Sequence, residues 1–269
     1  MLALAYAIAD LWAETPRAVH LMGANLGGAA LALVVGSVLV GRLWPAEARA
    51  ASPERDARTW RDTALPLLIT AGIYLLLSRT DILMLGILDS SASAATYAVI
   101  TRFSDLMTLG LMSATAMIGP VAAELAARGD RAQLQRVVTK AVQWSSALTV
   151  LLGIVLLLFG KLLLSLFGAE YVEGYAPMTI LLVGQAVNAL AGPVGYLLSM
   201  TGHQQRVVQV LGLSAILNVG LNAVLIPFFG VLGAASATAL TNLVWNVVLH
   251  VSVRRRLQID STALGRPPR

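Results

Sequence analysis

Four ionisable side chains stand inside stretches that are otherwise apolar. Arg79 and Asp81 lie in LLLSRTDILMLGIL (75–88), and Arg102 and Asp105 lie in AVITRFSDL (98–106). A charge in the middle of a membrane-spanning helix costs at least about 2.5 kcal/mol on insertion scales, so such groups face a wet cavity or a partner. The chemistry open to an Arg in a low-dielectric cavity is a bidentate grip on phosphate or carboxylate. An Asp in the same place can hold an Arg in position. Two plainer readings stand beside these: a compensated buried ion pair that only fixes helix register, and a long side chain reaching back to the membrane interface.

Spacing constrains the choice. Measured from the span start at Ala64 with the helical rise, Arg79 sits roughly 22 Å and Asp81 roughly 25 Å across the membrane. Measured from Pro120 in the following antiparallel span, Arg102 sits roughly 27 Å and Asp105 roughly 22 Å across. All four thus fall in one layer, in the outer half of the bilayer. Arg102 and Asp105 are three apart and share a helix face. Arg79 and Asp81 are two apart and cannot share one, so one packs toward neighbouring helices and the other faces a cavity. This favours Asp81 as the partner that holds an Arg, and leaves an Arg, Arg79 or Arg102, to touch a ligand.

Amides add to the polar set. Gln185 and Asn188 are three apart on one face and are the best further cavity candidates. Asn218 and Asn222, like Asn242 and Asn246, are four apart, which suits contact between the last two spans. The small residues of GVLGAASATAL (230–240) suit close helix packing. Other chemistry has little support. There is no Cys, the three His residues (His20, His203, His250) are far apart, and no phosphate-binding loop such as GxxxxGK[ST] occurs. Glu170 and Glu173 sit in FGAEYVEGY without a partner. No catalytic constellation, cofactor site or metal cluster is expected, so the chain reads as a non-enzyme.

The elements that must position these residues are transmembrane helices. Only 12% of the 269 residues are charged and 57% are hydrophobic, against roughly 25% charged in soluble domains. Six spans are expected over residues 64–88, 92–121, 138–167, 177–200, 207–229 and 231–253, preceded by one over 21–43. Pro66 is expected in a first turn, with Pro120 and Pro227 closing their spans. The N-terminal residues read as the tail of a helix whose beginning is missing. Residues 44–63 read as a linker and 258–269 as a tail. AARGDRAQLQRVVTKAVQW (126–144) can form an amphipathic helix on the membrane surface.

The net charge of +5 does not point to nucleic acid, because the basic residues cluster in short loops. Arg42, Arg49, Arg55, Arg58, Arg61, Arg128, Arg131, Arg136, Lys140, Arg206, Arg254, Arg255, Arg256, Arg266 and Arg269 fall on one side, 15 of the 19 basic residues. Arg17 and Lys161 fall on the other, and Arg79 and Arg102 are embedded. The rule that positive loops stay inside then makes the 15-residue side, with the C-terminus, cytoplasmic.

Four stretches, in order, resemble one family. They are RTDILMLGILDSSASAATYAVITRFSDL, MIGPVAAELAARGDRAQLQRVV, LFGAEYVEGYAPMTILLVGQAVNALAGPVGYLLSMTGHQQ and LNVGLNAVLIPFFGVLGAASATAL. Over about residues 60–257 the chain resembles the polysaccharide biosynthesis and O-antigen flippases of the MOP (multidrug/oligosaccharidyl-lipid/polysaccharide) superfamily. The resemblance implies an all-α, polytopic helix bundle: the six-helix C-terminal lobe of a MATE-like flippase with one or two preceding helices. It implies translocation of an undecaprenyl-pyrophosphate-linked oligosaccharide across the bacterial inner membrane, with cavity arginines, Arg102 first and Arg79 second, on the pyrophosphate or acidic sugars. A lipid-linked oligosaccharide, membrane lipids, and a first lobe or second chain are the implied partners. A cation-coupled multidrug exporter of the same superfamily and a non-transporting scaffold for glycan-assembly enzymes remain as alternatives.

Overall fold

The computed structural model describes residues 18–43 and 57–265, which fall into two compact units, Met1–Asp56 and Ala57–Arg269. In the first unit, α1 (Ala18–Leu43) covers the expected span. Its large apolar side chains stand exposed on every face, Leu26 at 72% and Leu33 at 72% among them. Such a helix is stable where lipid or other helices cover it. The rest of the N-terminal segment and most of the expected linker lie outside the described residues.

The second unit comprises α2 (Ala57–Leu88), α3 (Ser91–Leu106), α4 (Thr108–Arg128), α5 (Arg131–Ser165), a 3-10 turn (Ala169–Gly174), α6 (Tyr175–Ala191), α7 (Val194–Met200) and α8 (Gln204–Leu257). Local chemistry sets the joints. Ser90 caps α3, its hydroxyl accepting from the Ser93 N–H at 3.1 Å, and Asp130 caps α5 by accepting from the Gln133 N–H at 2.9 Å. Gly192 (φ +79°) breaks α6 from α7, where Pro193 cannot continue the helix. At 54 residues α8 is long enough to cross a bilayer twice. It folds back on itself at Gly230, whose φ of +51° is left-handed. Arg206 on its first arm donates to the Ser252 hydroxyl on its second at 3.4 Å, so the arms run antiparallel. A Cβ on Gly233 would stand 2.4 Å from the Leu225 carbonyl oxygen, which bears out the expectation of close packing by small residues. α2, α3 with α4, α5, α6 with α7, and the two arms of α8 make the six expected spans, with no strand among the described residues.

Two apolar cores hold the bundle. One, at the end carrying most of the basic residues, joins Ile118, Leu125, Leu134, Val138, Leu197, Leu211 and Val253. The other joins Leu85, Tyr97, Ile100, Met107, Leu164, Met178 and Ile226. Outside them the surface is oily: Leu83 is 64%, Leu158 74% and Phe228 79% exposed. That much contiguous apolar surface marks lipid contact rather than water.

The structure revises several boundaries. Helix α2 begins at Ala57, so residues 57–63 of the expected linker are helical and Pro66 is interior rather than in a first turn. α4 continues past Pro120 to Arg128, and α8 continues past Pro227 to Gly230. The amphipathic segment after Gly129 is no separate surface helix. It is the first part of an unbroken α5, and its apolar face (Leu134, Val138, Val142) packs into the protein core. Of the expected tail, residues 258–265 form a docked strap, and 266–269 lie outside the described residues. Ile259 and Ser261 are buried. The Gln135 side chain both donates to the Asp260 carbonyl (2.7 Å) and accepts from the Asp260 N–H (2.6 Å). The Ala263 N–H donates to the Leu190 carbonyl at 3.0 Å, satisfying an end carbonyl of α6.

Candidate functional site

Between the two cores lies a cavity of about 410 Å³. All six residues singled out in the sequence, Arg79, Asp81, Arg102, Asp105, Gln185 and Asn188, line it, although they come from α2, α3 and α6. Tyr74, Tyr97, Asn218, Thr238, Asn242 and Trp245 line it as well. The polar layer is therefore a real three-dimensional feature.

Its charges divide into two sets. Asp81 is buried at 4% exposure. One carboxylate oxygen accepts from the Asn222 amide at 2.6 Å. The other accepts from the Tyr97 hydroxyl at 3.0 Å and the Thr238 hydroxyl at 2.5 Å. α2, α3 and both arms of α8 are thus tied at one carboxylate. The expectation that Asp81 holds an Arg is overturned: neutral donors surround it. Burying it next to a guanidinium was unnecessary because three hydrogen bonds offset its desolvation. Asn222 also donates to Asn218 at 3.1 Å, and Asn246 donates to Asn188 of α6 at 2.9 Å. The amide pairs of α8 therefore reach α2 and α6, not chiefly each other's arm as expected.

The second set faces the opening. Arg79, Arg102 and Asp105 are exposed. The ion pairs among the described residues are Arg61–Asp62 and Arg128–Glu124, both remote from the cavity. The Asp105 carboxylate lies near Arg102 and Arg79 without a direct pair to either. Two guanidinium groups therefore present their donors to the cavity.

The Asp81 cluster has a further chemical capacity. The Asp81 oxygen and the Tyr97 and Thr238 hydroxyls form a triangle with edges of 2.5 to 3.0 Å, the Tyr97–Thr238 edge being 2.9 Å. Two hydroxyl protons cannot fill three edges, so the triangle can accept one more proton or a hard cation. Beside it the buried Asn222 Oδ1 has no hydrogen-bond partner. The Ser104 and Thr241 hydroxyls, which line the cavity, have none either. One carboxylate with amide and hydroxyl oxygens suits a proton or a monovalent cation, because transition metals favour imidazole and thiolate ligands. Among the described residues no group of three or more His, Asp or Glu could hold a metal ion.

Residues 66–224, more than half the sequence, match the MatE family. The chain belongs to the MatE family. The MatE match spans α2 to the first arm of α8 and so contains every singled-out site residue. This MatE lobe superposes on a MATE transporter from Vibrio cholerae, VcmN, with a TM-score of 0.70 at 14% identity, over 86% of this chain and 53% of that one. It superposes on a MOP superfamily transporter from Pyrococcus furiosus with a TM-score of 0.60 at 23% identity, over 73% of this chain and 44% of that one. These likenesses show the fold: an all-α helix bundle like one lobe of those proteins. In sequence it is 27% identical over 179 residues to the "Probable low-salt glycan biosynthesis flippase Agl15" of Haloferax volcanii, covering 64% of this chain and 37% of that protein. The MatE chain thus spans between about a third and about half of the relatives it matches.

Sequence reasoning missed Tyr97 and Thr238. Thr238 was hidden among small residues that do pack closely, and Tyr97 looked like an ordinary core aromatic. The signal that could have found them is Asp81 itself: a buried carboxylate with no basic residue on its own face needs hydroxyl or amide donors from neighbouring helices.

Proposed function

We propose that this lobe forms one wall of a cavity through which an undecaprenyl-pyrophosphate-linked oligosaccharide crosses the bacterial cytoplasmic membrane in cell-surface polysaccharide biosynthesis. The observation that carries the reading is the pair of guanidinium groups, Arg79 and Arg102, open to the cavity without an ion-pair partner. The buried acid beside them is engaged elsewhere, so their charge is available to an anion. A guanidinium matches a phosphate oxygen pair bidentately, and Gln185 and Asn188 add neutral donors and acceptors for sugar hydroxyls. The Haloferax volcanii glycan flippase in the comparison supports this substrate class. In this reading the opposite wall comes from a first lobe or a second chain, and the two walls rock around the site. The end bearing 15 of the 19 basic residues faces the cytoplasm with the C-terminus. Ion or proton occupancy at Asp81, which ties α2 and α3 to both arms of α8, couples to that rocking.

A second reading has its own support. Tyr74 and Trp245 meet edge to face in the cavity wall with centroids 5.4 Å apart, and Asp105 adds an exposed carboxylate. Aromatic faces and an acid suit an organic cation, which favours cation-coupled drug export. An open polar cavity within membrane-spanning helices favours either transport reading over a scaffold.

Arg102→Ala in the complete two-lobe assembly tests the proposal. Losing a charge-assisted hydrogen bond of about 1.5–3 kcal/mol lowers flipping of a lipid-pyrophosphate oligosaccharide roughly tenfold or more. Membrane insertion stays intact. Wild-type flipping in that variant sinks the pyrophosphate grip. Loss of organic-cation efflux on Asp105→Asn, with flipping absent from the wild type, establishes the export reading instead.

A further inference from the structure

A second cavity, apolar with a basic rim, opens at the opposite side of the α8 hairpin from its Gly230 turn, with a volume of about 280 Å³. It shares no lining residue with the central cavity. Its polar lining is Arg206 from the start of the first arm, and Ser252, Arg255 and Arg256 from the end of the second. Its apolar lining includes Val247 and Val251, which are 53% and 41% exposed. The antiparallel hairpin creates this convergence, since it brings residue 206 beside residues 252–256. The 3.4 Å bond from Arg206 to the Ser252 hydroxyl fixes the approach of the arms.

Among the described residues no acid lines the groove. The nearest acid in sequence, Asp260, is spent on the strap, where its carboxylate accepts from the Thr262 N–H at 3.0 Å and the Thr262 hydroxyl at 2.8 Å. Among the described residues, three arginines therefore line one small cavity with no acid beside them. Directly along the same helix face, one and two turns toward the membrane interior, exposed valines replace the arginines. A ligand that matches this must be anionic at one end and apolar along its length.

We propose that the groove binds one anionic phospholipid of the surrounding bilayer. The phosphodiester and its headgroup sit among Arg206, Arg255 and Arg256, and an acyl chain lies along Val251 and Val247. Basic pockets between transmembrane helices at the positively charged membrane face recognise acidic headgroups in this way, and guanidinium supplies paired donors to phosphate. The lipid would bridge the two arms of α8, whose other half carries Asn218, Asn222 and Thr238 of the central cluster. The site stands whichever substrate the central cavity takes.

Native mass spectrometry of the full purified chain tests the proposal, with phosphatidylglycerol and phosphatidylcholine of identical acyl chains titrated in parallel. The wild type retains one phosphatidylglycerol roughly tenfold more strongly than phosphatidylcholine, and R255Q/R256Q abolishes the preference. Val251→Trp fills the apolar part of the groove and weakens retention with all three charges in place, which separates lipid binding from loss of folding or charge. R136Q/K140Q removes two charges on α5, outside the groove, and keeps the preference. Equal retention of both lipids by the wild type overturns the site. So does an equal loss in R136Q/K140Q, which would reduce the effect to general surface charge. Preferential displacement of phosphatidylglycerol by undecaprenyl phosphate also overturns it, because the groove would then belong to the lipid-linked substrate.

Discussion

SRTD on α2 and TRFSD on α3 put the same two residue types into the same layer of the bundle, yet their acids end in opposite states. Asp81 is buried at 4% exposure and accepts three side-chain hydrogen bonds from three other segments. Asp105, three residues after Arg102, is exposed and makes no side-chain hydrogen bond among the described residues, lying near the two arginines. The difference follows from register. Two residues after Arg79 the helix has turned more than half way round, so Asp81 points into the bundle while Arg79 remains at the opening. Three residues after Arg102 the helix has nearly closed a turn, so Asp105 stays on the same open face. An intramembrane acid is thus defined by the face it occupies, not by the charge beside it in sequence. One becomes a structural tie that can also take up a proton or cation, and the other becomes part of a wet wall.

The comparison breaks most severely at Asp81. Asp81→Ala removes the acceptor that Tyr97, Asn222 and Thr238 share; Tyr97 and Thr238 can still bond each other, but at least one donor is left unsatisfied, at about 1–3 kcal/mol. A marked fall in thermal unfolding temperature in detergent is expected, together with loss of transport, and an unchanged unfolding temperature would contradict the tie. Asp105→Asn probes the other member of the pair. Because Asp105 has no direct partner, stability should change by no more than about 0.5 kcal/mol, and any effect should appear in transport assays alone. A fall in unfolding temperature comparable to that of Asp81→Ala would erase the distinction between the two acids.

Asp260 in the strap offers a third, intermediate case outside the membrane spans. Burial pushes its carboxyl up, but the Thr262 N–H and hydroxyl, with His250 and Arg254, outweigh that and hold it below the usual carboxylate range. A depressed native value means that the strap's contribution is full above the unfolded Asp value of about 3.9 and is lost as pH falls through the lower folded value. Proteolysis of the strap by pepsin should therefore accelerate only at the acid end of that enzyme's range. Asp260→Asn should abolish that pH dependence and make the smallest change in overall stability of the three.

The glycine at the strap's seat shows why some of this could not be read in advance. Ser261 packs its carbonyl oxygen where a Cβ on Gly192 would stand 2.2 Å away. Nothing in ALAGPVG (189–195) announces that residues seventy positions later will lie across it. Residues 258–269 read as a tail, because docking depends on partners such as Gln135 and Leu190 that are remote in the chain. The placement of Gln185 and Asn188 was legible, because a polar pair at spacing three on an otherwise apolar helix can only share one face. Their neighbour Asn246 was visible as a polar residue, but its acceptor on α6 was not.

Composition, span length and charge asymmetry determined that this chain is a multi-span helical membrane protein, since each follows from the cost of placing polar groups in hydrocarbon and needs no knowledge of neighbours. Helical angle and rise likewise determined that four charges form one layer and that Arg79 and Asp81 diverge. Only the tertiary structure decided what Asp81 meets. An apolar span specifies that a buried carboxylate must be satisfied, but many donors satisfy it equally. The packing of α2 and α3 against both arms of α8 brought hydroxyls and an amide to Asp81, and so left Arg79 and Arg102 free to face the cavity.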